Sequence, residues 1–379
     1  MPNQTILITG ATGFLGYYLL DRFLQDKDTK IIALIRPQQG LSGQKRLEQL
    51  LLKRKNNLEY EEVKKRIEVI EGDVSRPCFG LAEETTDQLS RKVTAIFHSA
   101  AIAKFDVPYE KIKPANVDAV RYILNFALCC QKNNPLFESA NHISTIAVSG
   151  TYRGVFREDQ LDVGQDFKNT YEQTKFEAEQ LVHQYQGKGL NVNIFRPSII
   201  IGDSRDGYAI NFRVIYQPLH IFSLGIFSSV PMDGNIEYNL IPVDSTADAI
   251  YRIHTKGQPC NRTFHITNTH KATGDFIFKT ASRFFEYPDP ERIPISKFNM
   301  DSLKGCRGRV LEPYLPYFNH DGVCYDNTQA MAILNKNGFA WLEVNTRLLH
   351  TIFSFCRDTG FITSNNRIGF TCSPVSQLI

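Results

Sequence analysis

Residues 5–16 read TILITGATGFLG. The first five are β-branched or leucine and carry no charge, the composition of a strand buried on both faces. Beyond them the period changes: Leu15, Leu19 and Phe23 recur every four residues with Leu20 and Leu24 alongside, which predicts a helix resting one face on a sheet. Between strand and helix stand Gly10, Thr12, Gly13, Phe14, Leu15 and Gly16. Gly10 permits a tight turn, Gly13 lets backbone N–H groups approach a pyrophosphate, and Gly16 allows close helix packing. The helix N-terminus itself favours anionic phosphates. Position after a strand and at the opening of a helix is what makes the glycine spacing specific for a dinucleotide.

Outward from this unit, further runs combine Ile, Val, Leu or Phe with little charge: Lys30 to Ile35, Arg66 to Glu71, Thr94 to His98, Glu138 to Thr145 and Asn191 to Arg196. Their alternation with helical patterns predicts an α/β, Rossmann-type, doubly wound parallel sheet. The stretch from Gly40 to Lys65 is longer than a minimal crossover and rich in charge, so a helical insertion is expected at about 40–65. After Arg196 the alternation fades into a region rich in Phe, Tyr, Pro and Asn, with helical stretches at Ser245 to His254 and Thr273 to Phe285. The expected division is a cofactor domain at 1–202, a smaller C-terminal substrate-binding region at 203–363 that packs partly back on it, and a loose tail at 364–379.

Composition narrows the function classes. A chain of 379 residues with 42% hydrophobic and 22% charged residues is an ordinary globular protein. Its net charge of +3, spread over 43 basic and 40 acidic residues, gives no global field for nucleic acid or an anionic membrane. The opening MPNQTILITG reads as a first strand rather than a signal peptide, so a cytoplasmic location is expected. The apolar run from Ile221 to Val230, interrupted by Gly225, is too short for a membrane span. Cysteines are scattered from Cys78 to Cys372 with only Cys129 and Cys130 adjacent, and no histidine pair has ligand spacing, so no metal is expected.

The second strand run ends at Arg36, where an acidic residue would hold the ribose 2′-hydroxyl of NAD. A guanidinium suits a 2′-phosphate instead, which predicts NADPH. Lys45 and Arg46 add charge to the same pocket or serve an exposed surface. Asp73 with Val74, and Ala100 with Ala101, end two strand runs where short or polar residues border adenine and ribose or simply turn the chain. The chemical signal is Tyr171-Glu172-Gln173-Thr174-Lys175 within a helical run. Four residues apart, Tyr171 and Lys175 share a helix face, so the ammonium lowers the phenol toward a value suited to proton donation. A hydroxyl closing the fifth strand run, Thr145 first and Ser144 second, is placed to hydrogen-bond a carbonyl oxygen.

With these residues in hand, the chain resembles an extended short-chain dehydrogenase/reductase of the thioester reductase branch. That branch holds the reductase domains of carboxylic acid reductases and nonribosomal peptide synthetases, with fatty acyl-CoA reductases as cousins. The matching stretches are TGATGFLG, LIRP, GDVSRPCFGL, IFHSAA, VPYEKIKPANV, HISTIAVSG, YEQTK, FRPSIIIGDSRDG and LIPVD, between Thr5 and about Asp244. The resemblance implies that Thr145, Tyr171 and Lys175 are catalytic and that Thr12 to Leu15 cradle the pyrophosphate. It implies Arg36 on the 2′-phosphate, Asp73 and Val74 by the adenine, Asn116 supporting the active site, and Pro197, Ser198 and Ile199 against the nicotinamide. Asp203 and Arg205 would line the substrate entrance, with Lys104 and Phe105 also on the substrate side.

Two departures stand out: Val117-Asp118-Ala119-Val120 replaces an expected Gly-Thr pair, and Lys104 replaces a neutral residue before an aromatic. Because the chain starts at its first strand, a carrier protein delivering the acyl group would act in trans. The implied function is NADPH-dependent reduction of a carrier- or CoA-bound acyl thioester to an aldehyde or alcohol. The alternative is an NADP-dependent oxidoreductase or epimerase of the same superfamily acting on a ketone, alcohol or sugar nucleotide. Arg36→Ala should weaken NADPH binding by roughly 1.5–3 kcal/mol and leave NADH binding nearly unchanged. Dissociation constants for both cofactors check this, and an equal loss for the two would reassign Arg36 to a structural role.

Overall fold

The computed structural model describes residues 4–54, 57–224, 227–257, 260–299, 311–319 and 322–362; the tail expected at 364–379 and Gly225 lie outside them. Every strand run read from the sequence forms, with ends shifted by up to two residues: β1 Thr5–Thr9, β2 Lys30–Ile35, β3 Ile67–Glu71, β4 Ala95–His98, β5 Ser139–Ile143 and, after a short β6 at Gly154–Phe156, β7 Val192–Pro197. A further strand, β8 Thr263–Ile266, comes from the part of the chain where alternation fades. Seven of these form one parallel sheet in the order β8-β7-β5-β4-β1-β2-β3. The order reverses between β1 and β4, and in such sheets ligands bind beyond the strand ends at that switch point.

Helices cover both faces. Following β1 comes α1 Phe14–Leu24, and the expected insertion is α2 Gly43–Arg54 with α3 Asn57–Val63. Next are α4 Glu83–Ser90, α5 Tyr109–Lys113, α6 Ala119–Asn133 and α7 Thr170–Gln186. On one face α6 and α7 set Ile123, Leu124, Ala127, Ala178 and Val182 against Leu7, Ile96, Ala140 and Ile194 of the strands. On the other, Phe23 of α1 lies 4.8 Å from Phe97 of β4 and 5.3 Å from Tyr251 of the helix Val243–Gly257. Arg22 ties these two helices together, bonding Asp248 at 2.7 Å with its guanidinium 3.6 Å from the Tyr251 ring centre.

The chain divides into two compact units. The first comprises Met1–Ile200, Ile241–Asn268 and Gly322–Trp341, and the second Ile201–Leu240, Thr269–Asp321 and Leu342–Ile379. The first unit thus takes back two later segments, one of which supplies β8. The second carries the helices Tyr216–Ser223, Gly274–Phe285 and Thr346–Asp358, joined through Phe222 on Phe278 and Phe285 on Phe353, and two short strand pairs, Ser229–Pro231 with Glu291–Ile293 and Glu237–Tyr238 with Ala272–Thr273.

Glu158 anchors the later segments within the first unit. A strand β9, Val323–Tyr325, pairs parallel with β6, and just past β6 the buried Glu158 carboxylate accepts three backbone amides. These are His265 at 2.9 Å on β8, and Gln329 at 2.7 Å and Ala330 at 3.2 Å in the first turn of the helix Thr328–Lys336. Burial pushes its pKa up to about 7, against the pull of those amides. Glu158→Ala should leave the amides without their acceptor and cost roughly 2–4 kcal/mol of stability, which urea denaturation measures. A loss within error would show that solvent reaches these amides.

Candidate active site

The phosphate loop is built by contacts that only glycine allows. Gly10 has φ +72°, and a Cβ there would meet the Ala100 nitrogen at 2.7 Å. A Cβ on Gly16 would meet the Gly10 carbonyl oxygen at 2.1 Å. The turn from β1 therefore seats against the chain leaving β4, and α1 starts just after Gly13, its N-cap, with no side-chain cap and no acidic residue in its first turn. Its leading amides and dipole remain for an anion.

Arg46 closes this loop from α2. Its guanidinium donates to the Arg36 carbonyl oxygen at 2.5 Å and to Thr12 Oγ1 at 3.1 Å. Burial, and then the nearby Arg36 charge, lower its pKa. Arg36 itself is largely exposed, 3.5 Å from Asp73. Burial pushes the Asp73 carboxyl up, but the Ser75 hydroxyl and amide and the Arg36 charge outweigh it and hold the group below its ordinary value. Two guanidiniums beside an uncapped helix start suit a phosphate-bearing group. Lys45 is exposed, with its amide on Ser42 Oγ, so the cation that reaches the loop from α2 is Arg46. Val74 packs on the core, Ala100 is half-buried beside Gly10, and Ala101 is exposed.

The helix carrying the Tyr-Lys pair starts where its sequence dictates. Asn169 caps it by accepting the Glu172 amide at 3.0 Å, and Glu172 reaches back to the Lys168 amide at 2.9 Å, a reciprocal capping arrangement. Thr170 donates to the Val107 carbonyl oxygen at 2.6 Å. Tyr171 is half-buried with Phe105 6.0 Å from its ring. One turn on, Lys175 is buried and donates to the Ile143 carbonyl oxygen at 2.7 Å, with His142 Nε2 at 3.4 Å. Burial pushes Lys175 down to about 8, against the opposing pull of Glu179.

Neighbouring residues separate the two candidate hydroxyls. Ser144 is buried and donates to Glu179. Glu179 also holds the buried Arg196 through contacts of 3.0 and 2.6 Å, and Arg196 touches His265 at 3.1 Å. Thr145, half-buried, accepts the Ala147 amide at 3.2 Å and keeps a proton to donate. Asn116 lies in a π-helical turn, Pro114–Asp118, and bonds both backbone groups of Ile102 and Thr174 Oγ1. It thereby ties the loop after β4 to α7. Pro197 ends β7, Ser198 donates its amide to the Ile266 carbonyl oxygen at 3.0 Å, and Ile199 is half-buried.

Lys104 is half-buried beside Phe105 in the loop after β4. Within the second unit, Arg205 turns back on its own loop, with Nε and Nη2 on the Asp203 carboxylate at 2.9 and 2.6 Å. Two buried histidines next to Lys175, His98 and His142, were not singled out in the sequence. Their signal is a strand position two residues before Ser144 for His142, and the last residue of a buried strand for His98.

The profile of the family described as male sterility protein, an NAD-binding family, matches residues 8–250. The chain belongs to that family. Within the extended short-chain dehydrogenases/reductases it falls in the thioester-reductase-like branch. Over 302 residues it is 30% identical to a linear gramicidin synthase polypeptide of Brevibacillus parabrevis, a match taking in 78% of this chain and 6% of that protein's length. It is 27% identical to the terminal R domain of the myxalamid PKS-NRPS biosynthetic pathway, with a TM-score of 0.82 over 97% of this chain and 93% of that one. The UDP-glucuronic acid 4-epimerase of Bacillus cereus shares the fold, at 16% identity and a TM-score of 0.64 over 94% of this chain and 99% of that one. In this family member, no described helix is long and apolar enough to cross a membrane.

His98 provides a pH test of this site. Burial, and then the Lys175 charge, push its pKa from 6.5 down to about 3. An unfolded chain takes up this proton first, so the contribution to stability is whole above pH 6.5 and falls as pH drops toward 3. Between pH 7 and 5 the wild type should lose about 2 kcal/mol more than His98→Phe in urea denaturation; parallel losses would show that His98 is solvated.

Proposed function

We propose that this chain is an NADPH-dependent reductase of thioester-activated acyl groups, giving an aldehyde and, by a second reduction, an alcohol. The observation that carries the reading is the seating of Lys175. It is buried and anchored to the Ile143 carbonyl oxygen two residues before Thr145, on the helix that presents Tyr171 one turn earlier. The likeness to the myxalamid R domain over nearly the whole chain supports the thioester as substrate class.

The residues present fit the cofactor. The glycine turn, with no room for a Cβ at Gly10 or Gly16, admits a pyrophosphate, and Arg36 with Arg46 offers two guanidiniums to a 2′-phosphate. When bound, NADPH supplies a hydride to the acyl carbon. Thr145 and Tyr171 donate hydrogen bonds to the oxygen that becomes negative, the role in which preorganised donors contribute most. For a thioester, collapse of that oxyanion expels the thiolate. For an aldehyde, Tyr171 passes its proton to the alkoxide, and the Lys175 ammonium stabilises the phenolate left behind. Asn116 holds the loop after β4 and α7 in register.

The acyl group arrives on a phosphopantetheine arm or coenzyme A, and a carrier protein is the partner in the first case. Lys104 and Phe105 are assigned to its recognition; within the second unit, Asp203 and Arg205 shape a loop. The reading is tested by supplying NADPH with acyl thioesters of increasing chain length, free and carrier-bound, and following NADPH loss and aldehyde together. Aldehyde should form, and Tyr171→Phe should keep cofactor binding while losing about 10²- to 10⁴-fold in aldehyde reduction. Silence on every thioester with brisk reduction of a ketone would move the chain to the alternative that the epimerase-like fold also supports, an oxidoreductase or epimerase of ketones, alcohols or sugar nucleotides.

A further inference from the structure

A pair of buried histidines lies against Lys175 and has no part in the chemistry above. His142 sits on β5 and His98 at the end of β4, their rings stacked with centres 5.8 Å apart. His98 Nδ1 is 2.7 Å from the hydroxyl of Thr9, the residue before the phosphate loop, and His142 Nε2 is 3.4 Å from Lys175 Nζ. His98 Nε2 and His142 Nδ1 are buried without a protein partner among the described residues. A phenylalanine or leucine would fill either place without leaving a buried nitrogen unpaired, a cost of about 1–3 kcal/mol for each such group. Two polar rings at that cost, stacked beside the one buried ammonium of the proposed site, are poorly explained as packing.

We propose that His142 is a positioning residue for Lys175: its Nε2 lone pair and the Ile143 carbonyl oxygen take two of the three ammonium hydrogens, fixing where the third points and how firmly the proton is held. The inference rests on the role given to Lys175 above. The ring must be neutral, because an imidazolium 3.4 Å from an ammonium in a dry site is strongly disfavoured, and burial, then the Lys175 charge, hold His142 well below its ordinary value. Neutral His142 therefore carries its proton on Nδ1 and accepts at Nε2. An acceptor for the charged form favours that form and offsets the burial that lowers Lys175. The other ionisable groups around Lys175 are His98 on β4, Tyr171 and Glu179 on its own helix, and Arg196 on β7, which pairs with Glu179. His142 Nε2 lies within hydrogen-bonding distance of Nζ, at 3.4 Å. The arrangement leaves the third ammonium hydrogen for the cofactor ribose or the phenol side.

The full chain labelled with [ε-¹³C]lysine tests this by NMR titration, with the Lys175 signal identified by its loss in Lys175→Met. His142→Phe keeps the ring volume and removes the acceptor, and should lower the Lys175 midpoint by about one pH unit, a tenfold change in proton affinity. His142→Gln, whose Oε1 can accept, should restore most of the shift. The alkaline limb of the kcat profile should move in step. A midpoint unmoved in His142→Phe, or lowered equally by Gln and Phe, overturns the proposal. Should His142→Phe fail to fold, ¹⁵N-histidine spectra of the wild type decide: an unprotonated Nε2 on His142 is required, and a protonated one overturns it. Because the titration needs no turnover, failure of the chain to reduce any thioester or carbonyl would sink the functional reading and leave this contact separately measurable.

Discussion

Glu179 and Arg196 form an ion pair with both side chains shielded from solvent, Arg196 Nη2 lying 2.6 Å from Glu179 Oε2. Taking two charges out of water costs several kcal/mol apiece, and the pair survives only because its other hydrogen-bonding capacity is met. Ser144 donates to the carboxylate, Nε of Arg196 bridges both carboxylate oxygens at 3.0 Å, and His265 takes a further guanidinium nitrogen. Through these four residues α7, β5, β7 and β8 are locked in one register. The proposed chemistry lies one helical turn away, so the placing of Lys175 depends on this lock.

The lock works because two repeats coincide. Residue 142 of β5 and residue 144 just beyond its end point to the same face, and residues 175 and 179 of α7 share one helix face. Two strand residues advance about 6.6 Å and four helix residues about 6.0 Å, so His142 meets Lys175 where Ser144 meets Glu179. The same coincidence gives the two hydroxyls different surroundings. Ser144 points toward the ion pair and is consumed by it, while Thr145 lies on the other side of the chain, at the start of the turn Ile146–Ser149.

The charge layout divides into a wet end and a dry end. At the phosphate loop, Arg36 is exposed and Arg46 half-buried, two cations that suit a doubly charged phosphate and tolerate water. Around Lys175, burial dominates, holding the lysine at about 8 and the neighbouring histidines neutral. A polar loop suited to binding charge is thus distinct from the dry surroundings of Lys175, which suit moving a proton.

Much of the fold was legible in residues 5–16 and the runs that follow, because buried parallel strands have a composition their neighbours do not alter, and the β1–α1 turn needs glycine whatever lies around it. Tyr171 and Lys175 were legible for the same local reason, being one turn apart on one helix. β8 was not, since Thr263–Ile266 is four residues long and gains its strand partner only from β7, distant in sequence. Nor were Arg46 over Lys45 or the placing of His142, which turn on partners from other elements, Thr12 and Lys175; the preference for Thr145 over Ser144 was read from the sequence, but the partner that engages Ser144, Glu179, was not. Local periodicity and backbone sterics are written in adjacent residues. Which of two neighbouring polar side chains is spent on structure is decided only when a distant segment arrives to accept or donate the hydrogen bond.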